Sequence, residues 1–331
     1  MIGLAIIGCG RIGRVHAKNV AQHPRARLIA VYDVEQELAR KTASELGVAA
    51  AASLEEILAD RKVDAVLLAS PTATHIPLIS AAVKAGKAVF CEKPIDLDLE
   101  PALACWREIE PHHPVVMIGF NRRSDASFRA LRERLHAGEI GKLEMAIITS
   151  RDPAPPPAEY IKGSGGLFKD MSIHDFDMAR WLAGEIVEVH AFGANLVDPL
   201  FAQFRDIDTC AVSLRAASGA LIQINSSRRC AYGYDQRIEA FGSKGMLQAG
   251  NQRATSVELW NARQTAAKDL VLDFFIERYG QAYAAEIDSF IAALENGRSV
   301  SPGFADGIAA QRIAVAASES LQTGRAVKLA S

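Results

Sequence analysis

Short apolar runs alternate with amphipathic segments over the first 120 residues of the chain. The runs are Leu4–Ile7, Arg27–Tyr32, Val63–Ala69, Lys87–Cys91 and Val115–Phe120. Helical spacing follows at Glu37–Leu46 and Ile76–Ala85, and a glycine comes directly after each of these two segments. Continuous apolar strands that alternate with helices are typical of a parallel sheet covered on both faces. The pattern predicts an α/β domain with a doubly wound parallel sheet over residues 1–120.

The alternation changes after residue 120. A predicted helix at Ser127–Ala137 is followed by strand-like runs with turns between them and few helices. These runs are Lys142–Thr149, Glu185–Phe192, Asp208–Arg215, Ala220–Ser226, Gln236–Gly242, Gly245–Ala249 and Thr255–Trp260. Helical periodicity returns at Tyr283–Leu294 and Gly303–Thr323. We therefore expect a second α/β domain over residues 121–331, built on a large, mostly antiparallel open sheet.

Composition narrows the classes of partner. The 331 residues are 49% apolar and carry 37 basic and 39 acidic side chains, so the net charge of −2 offers no electrostatic footprint for nucleic acid. The five cysteines are scattered without metal-ligand spacing. The first apolar run breaks at Gly8, too early for a signal peptide or a membrane span. We expect a cytoplasmic protein with small-molecule partners and neither a membrane nor a nucleic-acid partner.

The first strand ends in a glycine motif, Gly8-Cys9-Gly10-Arg11-Ile12-Gly13. Gly8 permits a tight turn, Gly10 lets a pyrophosphate approach the backbone, and Gly13 lets the following helix pack closely. A second β-rich run ends in Asp33, about twenty residues further on, where a carboxylate suits a ribose 2′-hydroxyl. The alternative is a glycine turn and a surface Asp in another kind of βαβ unit. We favour a dinucleotide site.

Polar residues follow two further strands of the predicted parallel sheet. Ser70, Thr72 and His75 come after one strand, and Glu92-Lys93-Pro94 comes after another. The carboxyl ends of parallel strands border the ligand crevice, so these side chains are candidates to line the cofactor. Ordinary helix capping or packing is the alternative for Ser70, Thr72 and His75. Partial burial at the crevice would lower the pKa of Lys93 toward a useful range, although most lysines are solvated surface charges.

A second cluster of titratable residues lies in the segment Asp170-Met171-Ser172-Ile173-His174-Asp175-Phe176-Asp177. Helical spacing places Asp170, His174 and Asp177 on one face. A carboxylate one turn from an imidazole supports a general base, although such a pair is more often a surface contact. These three residues could also bind a metal, but no second His or Cys is suitably spaced. We therefore predict no metal site.

Taken in chain order, these motifs resemble the glucose-fructose oxidoreductase and inositol dehydrogenase family over essentially the whole chain. The resemblance rests on Gly8–Gly13, Asp33, Glu92-Lys93-Pro94, Gly119-Phe120-Asn121-Arg122-Arg123, and Gly165-Gly166 followed by Asp170 and His174. Three further segments resemble the bacterial myo-inositol 2-dehydrogenases within that family. They are Ser150–Pro153, Gly166–Asp177 and Tyr232–Glu239.

The resemblance implies a Rossmann domain that binds NAD, followed by an α/β domain whose open sheet assembles a homotetramer or dimer. It implies oxidation of a cyclic polyol, with myo-inositol giving 2-keto-myo-inositol. By the same resemblance Lys93, Asp170 and His174 match the catalytic trio, with His174 as general base. Polyol contacts are implied at Asn121, Arg122, Asp152 and Tyr234.

Two alternatives stay open from the sequence. A dehydrogenase of scyllo-inositol, or of another cyclic polyol or aldose, would use the same trio with other hydroxyl contacts. A non-catalytic dinucleotide sensor would be marked by loss of the Lys or the His, whereas Lys93 and His174 are both present. The sequence therefore favours an enzyme over a sensor.

Overall fold

The computed structural model of the protein describes residues 1–329. Two compact units are present, and each combines two separate parts of the chain. The first unit holds residues 1–124 and 281–311, and the second holds residues 125–280 together with the chain from Arg312 onward. Among the described residues, no helix is both long enough and apolar enough to cross a membrane.

The first unit is built on a six-stranded parallel sheet. Its strands are β1 (Ile2–Ile7), β2 (Ala26–Tyr32), β3 (Ala49–Ala50), β4 (Ala65–Leu68), β5 (Ala88–Glu92) and β6 (Val116–Gly119). The α-helices that residues 1–124 contribute to it are α1 (Arg11–Gln22), α2 (Gln36–Leu46), α3 (Leu54–Ala59), α4 (His75–Lys84) and α5 (Leu99–Ile109). The order β3-β2-β1-β4-β5-β6 is the doubly wound order of a dinucleotide-binding fold. The predicted parallel sheet is confirmed.

The second unit is built on a seven-stranded sheet in the order β12-β11-β7-β10-β9-β8-β15. Its strands are β7 (Leu143–Arg151), β8 (Ile186–Ala194), β9 (Thr209–Ala216), β10 (Leu221–Ser227), β11 (Asp235–Gly242), β12 (Gly245–Ala249) and β15 (Val327–Lys328). The pair β7 and β10 is parallel and the other neighbours are antiparallel. The helices before residue 275 are α6 (Ala126–His136), α7 (Ala158–Ser164), α8 (Leu167–Asp170), α9 (Ser172–Ala183) and α10 (Leu200–Gln203). The predicted, mostly antiparallel sheet is confirmed.

Two long helices contribute to both units, which differs from the contiguous division at residue 120 that the sequence pattern suggests. They are α11 (Phe275–Asn296) and α12 (Phe304–Thr323). Ile287, Phe290 and Ile291 of α11 lie in the same core cluster as Leu4 and Phe90, which explains why residues 281–311 group with the first unit.

The predicted strand at Thr255–Trp260 is wrong for most of its length. Only β13 (Glu258–Leu259) forms, and it pairs with β14 (Ala267–Lys268) as a separate two-stranded hairpin. The apolar residues Val257 and Trp260 are 68% and 63% exposed, so burial does not hold this segment in a larger sheet. A β-rich composition without a buried face is insufficient to extend a strand.

Candidate active site

The glycine loop lies between β1 and α1 and depends on its glycines. Gly8 has φ +99°, and a Cβ on it would lie 2.6 Å from the backbone of Ala69 and Ser70. A Cβ on Gly13 would lie 1.8 Å from the carbonyl oxygen of Gly8. A Cβ on Gly10, which precedes α1, would meet nothing within 4 Å. The loop therefore leaves open space at a helix N-terminus, where anions bind to backbone N–H groups.

Asp33 follows β2 and closes this loop. Its Oδ2 accepts a hydrogen bond of 2.7 Å from the Cys9 backbone N–H, and its Oδ1 accepts one of 2.9 Å from the Glu35 N–H. Arg11 is exposed and Ile12 is half-buried at the start of α1. These residues fit a dinucleotide, with phosphates over the glycine loop and a ribose at Asp33.

Ser70, Thr72 and His75 follow β4, but they differ in accessibility. Ser70 and Thr72 are half-buried, and the Ser70 hydroxyl lies 2.6 Å from that of Thr74. His75 is 1% exposed, with Nδ1 2.8 Å from the Pro94 carbonyl oxygen and Nε2 3.0 Å from that of Ser70. Burial lowers the pKa of His75, against the two carbonyls that raise it. The ring links two loops, while its predicted cofactor contact stays a prediction.

The predicted catalytic lysine follows β5. Lys93 is half-buried, and its peptide bond to Pro94 is cis. The preceding Glu92 pairs with His16 of α1, with 2.6 Å between Oε1 and Nε2. Asn121 and Arg122 lie in a buried helical turn just after β6, at 2% and 4% exposure. All of these residues belong to the first unit.

The segment that carries Asp170 and His174 is two helices and not one. Asp170 ends α8 and His174 lies in the first turn of α9, with Met171 between them. The N–H of His174 bonds to the Met171 carbonyl at 3.3 Å, three residues back, which tightens the turn at this junction. The regular 100° spacing that the sequence pattern assumes is therefore interrupted between these two residues.

Arg228 joins the two predicted carboxylates of the second unit, although no sequence motif marks it as a site residue. Its Nη1 donates to Asp152 at 2.9 Å and its Nη2 donates to Asp170 at 2.6 Å. Burial alone would lower the pKa of Arg228, but Asp170 and Asp152 outweigh it and raise that pKa. The partners lie 76 and 58 residues away in the chain, so no local pattern reveals them.

Tyr160 completes this cluster, and no sequence motif marks it either. Its hydroxyl donates to Asp170 at 2.8 Å. Burial, followed by the Asp170 charge, raises the pKa of Tyr160, so the phenol keeps its proton at neutral pH. Asp170 thus accepts from a guanidinium and a phenol, which favours its ionised form.

Tyr234 lies immediately before β11 and is 7% exposed. Its ring meets that of Tyr279 edge-on, with centroids 6.0 Å apart, and its backbone N–H bonds to the Leu272 carbonyl. The structure groups Asp152, Asp170, Arg228 and Tyr160 directly. The predicted polyol contact at Tyr234 stays a prediction.

Known proteins resemble this chain over its full length. Residues 2–120 match the oxidoreductase family with an NAD-binding Rossmann fold, and residues 128–248 match the GFO/IDH/MocA C-terminal domain. An inositol 2-dehydrogenase of Rhizobium meliloti is 46% identical over 99% of both chains. A crystal structure of a myo-inositol dehydrogenase from Corynebacterium glutamicum has a TM-score of 0.97 at 48% identity, covering 100% of this chain and 99% of the other.

A more distant structure resembles the chain with ligands in place. It is scyllo-inositol dehydrogenase from Lactobacillus casei with bound NAD(H) and scyllo-inositol. Its TM-score is 0.91 at 32% identity, over 99% of each chain.

Proposed function

Because the chain belongs to the GFO/IDH/MocA family of NAD-binding oxidoreductases, we propose that it oxidises a cyclic polyol, namely myo-inositol, at one ring hydroxyl. The product is 2-keto-myo-inositol. The relative from Rhizobium meliloti and the structure from Corynebacterium glutamicum both carry inositol dehydrogenase names, which supports this substrate class.

The observation that supports this proposal is the pairing of Arg228 with Asp152 and Asp170. This buried guanidinium is balanced by two carboxylates, so the group of Arg228, Asp152 and Asp170 does not attract an anion. A carboxylate substrate would need a cationic site, and an apolar alcohol would offer no hydrogen bonds to the polar side chains proposed below to contact the substrate. A neutral, polyhydroxylated ring suits such surroundings.

The proposed roles divide the reaction into a proton transfer and a hydride transfer. When bound, NAD would accept the hydride that leaves the carbinol carbon, and Gly8–Gly13 would hold its phosphates and Asp33 a ribose. His174 takes the proton of the reacting hydroxyl, and Asp170 supports His174 in that role. Lys93 positions and polarises the same oxygen as the C–O bond gains double-bond character. Asn121, Arg122, Asp152 and Tyr234 bind the other hydroxyls.

The substrate is tested by comparing kcat/KM across a panel of cyclic polyols and sugars with NAD. We expect myo-inositol to exceed scyllo-inositol, D-chiro-inositol and glucose. A clear preference for scyllo-inositol would keep the mechanism and replace the substrate, and the 32%-identical scyllo-inositol dehydrogenase makes this the principal alternative.

The role of His174 is tested by its pH profile and by substitution. A general base must be neutral, so oxidation by the wild type should rise with pH as His174 deprotonates. His174→Ala should lower kcat by roughly a hundredfold while NAD affinity is retained, since positioned proton transfer contributes about that factor. Near-normal turnover of this variant would remove His174 from the mechanism.

The proposal includes a homo-oligomer, a tetramer or dimer, assembled through the seven-stranded sheet. Met246, Phe241, Met145 and Leu221 occupy paired positions across β12, β11, β7 and β10. Each of these side chains is between 41% and 50% exposed. An apolar row on one sheet face suits an interface between identical subunits.

A further inference from the structure

Three titratable side chains meet inside the first unit. His16 lies on α1, Glu92 ends β5, and Glu286 lies on α11. One nitrogen or oxygen atom from each side chain lies within 4.8 Å of the others. His16 and Glu286 are 0% and 1% exposed, and the chain continues from Glu92 directly into Lys93. The cluster therefore joins the helix of the glycine loop to the strand that carries the lysine.

The contacts within the cluster are unequal. His16 Nε2 lies 2.6 Å from Glu92 Oε1 and 4.0 Å from Glu286 Oε1. Within residues 1–329, neither carboxyl oxygen of Glu286 has a hydrogen-bond partner. The rings of Phe90 and Tyr283 meet the His16 imidazole edge-on, at 5.3 and 5.6 Å between centroids. An ionised carboxylate in such surroundings is strongly disfavoured.

The 2.6 Å separation decides between a metal ion and a proton. Tetrahedral zinc ligands about 2.0–2.2 Å from the ion lie on the order of 3.3 Å from one another. His16 Nε2 and Glu92 Oε1 are closer than that, at the separation of a short hydrogen bond. This pair is therefore hydrogen-bonded and does not have the spacing of two zinc ligands.

The charges around Glu286 favour its protonated form. Burial, followed by the charge of Glu92, raises the pKa of Glu286 well above its ordinary value. Other titratable groups near the cluster include Tyr283 of α11, Cys91 and Lys93 beside Glu92, and His75, which interacts electrostatically with Glu92. Burial and the Glu92 charge also raise the pKa of Cys91, so that thiol stays neutral. Burial without a hydrogen-bond partner among the described residues and the neighbouring charge of Glu92 both favour the protonated form of Glu286.

We propose that the buried cluster of His16, Glu92 and Glu286 holds the end of β5 against α1 and α11, which makes the three side chains positioning residues for Lys93. The proposal rests on the catalytic role proposed above for Lys93. When folding raises the pKa of a carboxyl group, the stability that this group gives the folded protein is lost as the pH rises through the raised pKa. Ionisation of Glu286 then places a second negative charge beside Glu92 and displaces the lysine.

The first experiment follows the proton on Glu286. The infrared difference spectrum between wild type and Glu286→Gln should contain the C=O stretch of a protonated carboxylic acid. We expect the wild type to lose kcat at alkaline pH, and Glu286→Gln should remove that loss while the acid limb assigned to His174 stays in place. Asp288 is an exposed carboxylate on the same helix, so Asp288→Asn is the matched control. It should change neither the infrared band nor the dependence of kcat on alkaline pH.

The second experiment removes the hydrogen bond to Glu92. His16→Leu should lower kcat about tenfold with NAD affinity retained, because a displacement on the order of 1 Å can cost up to about a hundredfold. His16→Gln, which restores an N–H donor, should recover most of that loss.

Three outcomes would overturn the proposal: no carboxylic acid band that Glu286→Gln removes, unchanged kcat in His16→Leu, or one equivalent of metal per chain that Glu286→Gln releases. If His174→Ala loses turnover while His16→Leu does not, only the cluster is refuted. If His174→Ala keeps turnover, only the role of His174 is removed. Failure of the proposed function is distinguished as a wild type that oxidises no cyclic polyol with NAD.

Discussion

At the scale of a single residue, Asp33 combines a predicted contact with an observed one. The sequence predicts its position after a strand and assigns it to a ribose hydroxyl. The structure adds that both of its oxygens hold backbone N–H groups, those of Cys9 and Glu35. Spacing along the chain identifies the residue, but a contact to a backbone group 24 positions away has no sequence signal.

The charge of Asp33 predicts a preference for NAD over NADP. A 2′-phosphate would meet this carboxylate, and the neighbouring Val34 is 80% exposed without supplying a cation. Asp33→Asn should narrow the preference for NAD over NADP because the negative charge is gone. Its side-chain oxygen still accepts a hydrogen bond from the Cys9 N–H. Asp33→Ala should narrow the preference as well and lower NAD efficiency by about ten- to a hundredfold, the equivalent of about 1.5–3 kcal/mol for a hydrogen bond to a charged group.

The measurement is kcat/KM for each cofactor in the wild type and both variants, with thermal unfolding as a control for the loop. Asp33→Asn removes the negative charge alone, whereas Asp33→Ala also removes the acceptor of the Cys9 N–H. Comparing the two variants therefore separates the effect of the charge from that of the loop contact. Equal efficiency of the wild type with NAD and NADP would contradict the assignment.

At the scale of elements, the burial of a segment decides how well the bounds of its helix or strand can be predicted from the sequence. The apolar run Val63–Ala69 predicts a strand, and β4 is fully buried. Helix α11 instead begins at Phe275, eight residues before the predicted Tyr283. Aromatic residues and Gly280 weaken the local helix signal, while Tyr279 at 1% exposure is held by packing. Tertiary contacts thus extend an element beyond what local propensity indicates.

Arg228 acts at the scale of elements, because it holds the segment after β7 and the end of α8 to the segment after β10. Arg228→Leu should lower the free energy of unfolding by about 3–5 kcal/mol, since breaking a buried ion pair leaves uncompensated charges. Asp152→Asn introduced together with Arg228→Leu should recover part of that loss, because one of the two stranded charges is gone.

The free energy is measured by denaturant unfolding of the purified variants. Arg229→Leu is the matched control, as that neighbouring side chain is exposed, and a change within about 0.5 kcal/mol is expected. If Arg228→Leu and Arg229→Leu lowered the free energy of unfolding by a similar amount, the ion pairs of Arg228 would make no specific contribution to stability.

The whole molecule raises the question of what covers the exposed face of the seven-stranded sheet. The alternation of apolar and polar residues predicts the strands of this sheet, but it does not distinguish a face turned to the core from one turned to a second subunit. In the structure, Phe241 and Met145 are directly paired and remain 46% and 41% exposed. Large apolar side chains at adjacent positions of a sheet favour association of two copies.

Charges placed in this apolar row should weaken the proposed assembly. In a symmetric interface each substitution occurs in both subunits, so Phe241→Glu brings two desolvated carboxylates into one contact. Light scattering coupled to gel filtration should give an oligomeric mass for the wild type and a smaller mass for Phe241→Glu. Leu38→Glu, on α2 of the first unit at a similar exposure of 42%, should leave the mass unchanged. A monomeric wild type, or an unchanged mass for Phe241→Glu, would show that this sheet face does not hold the subunits together.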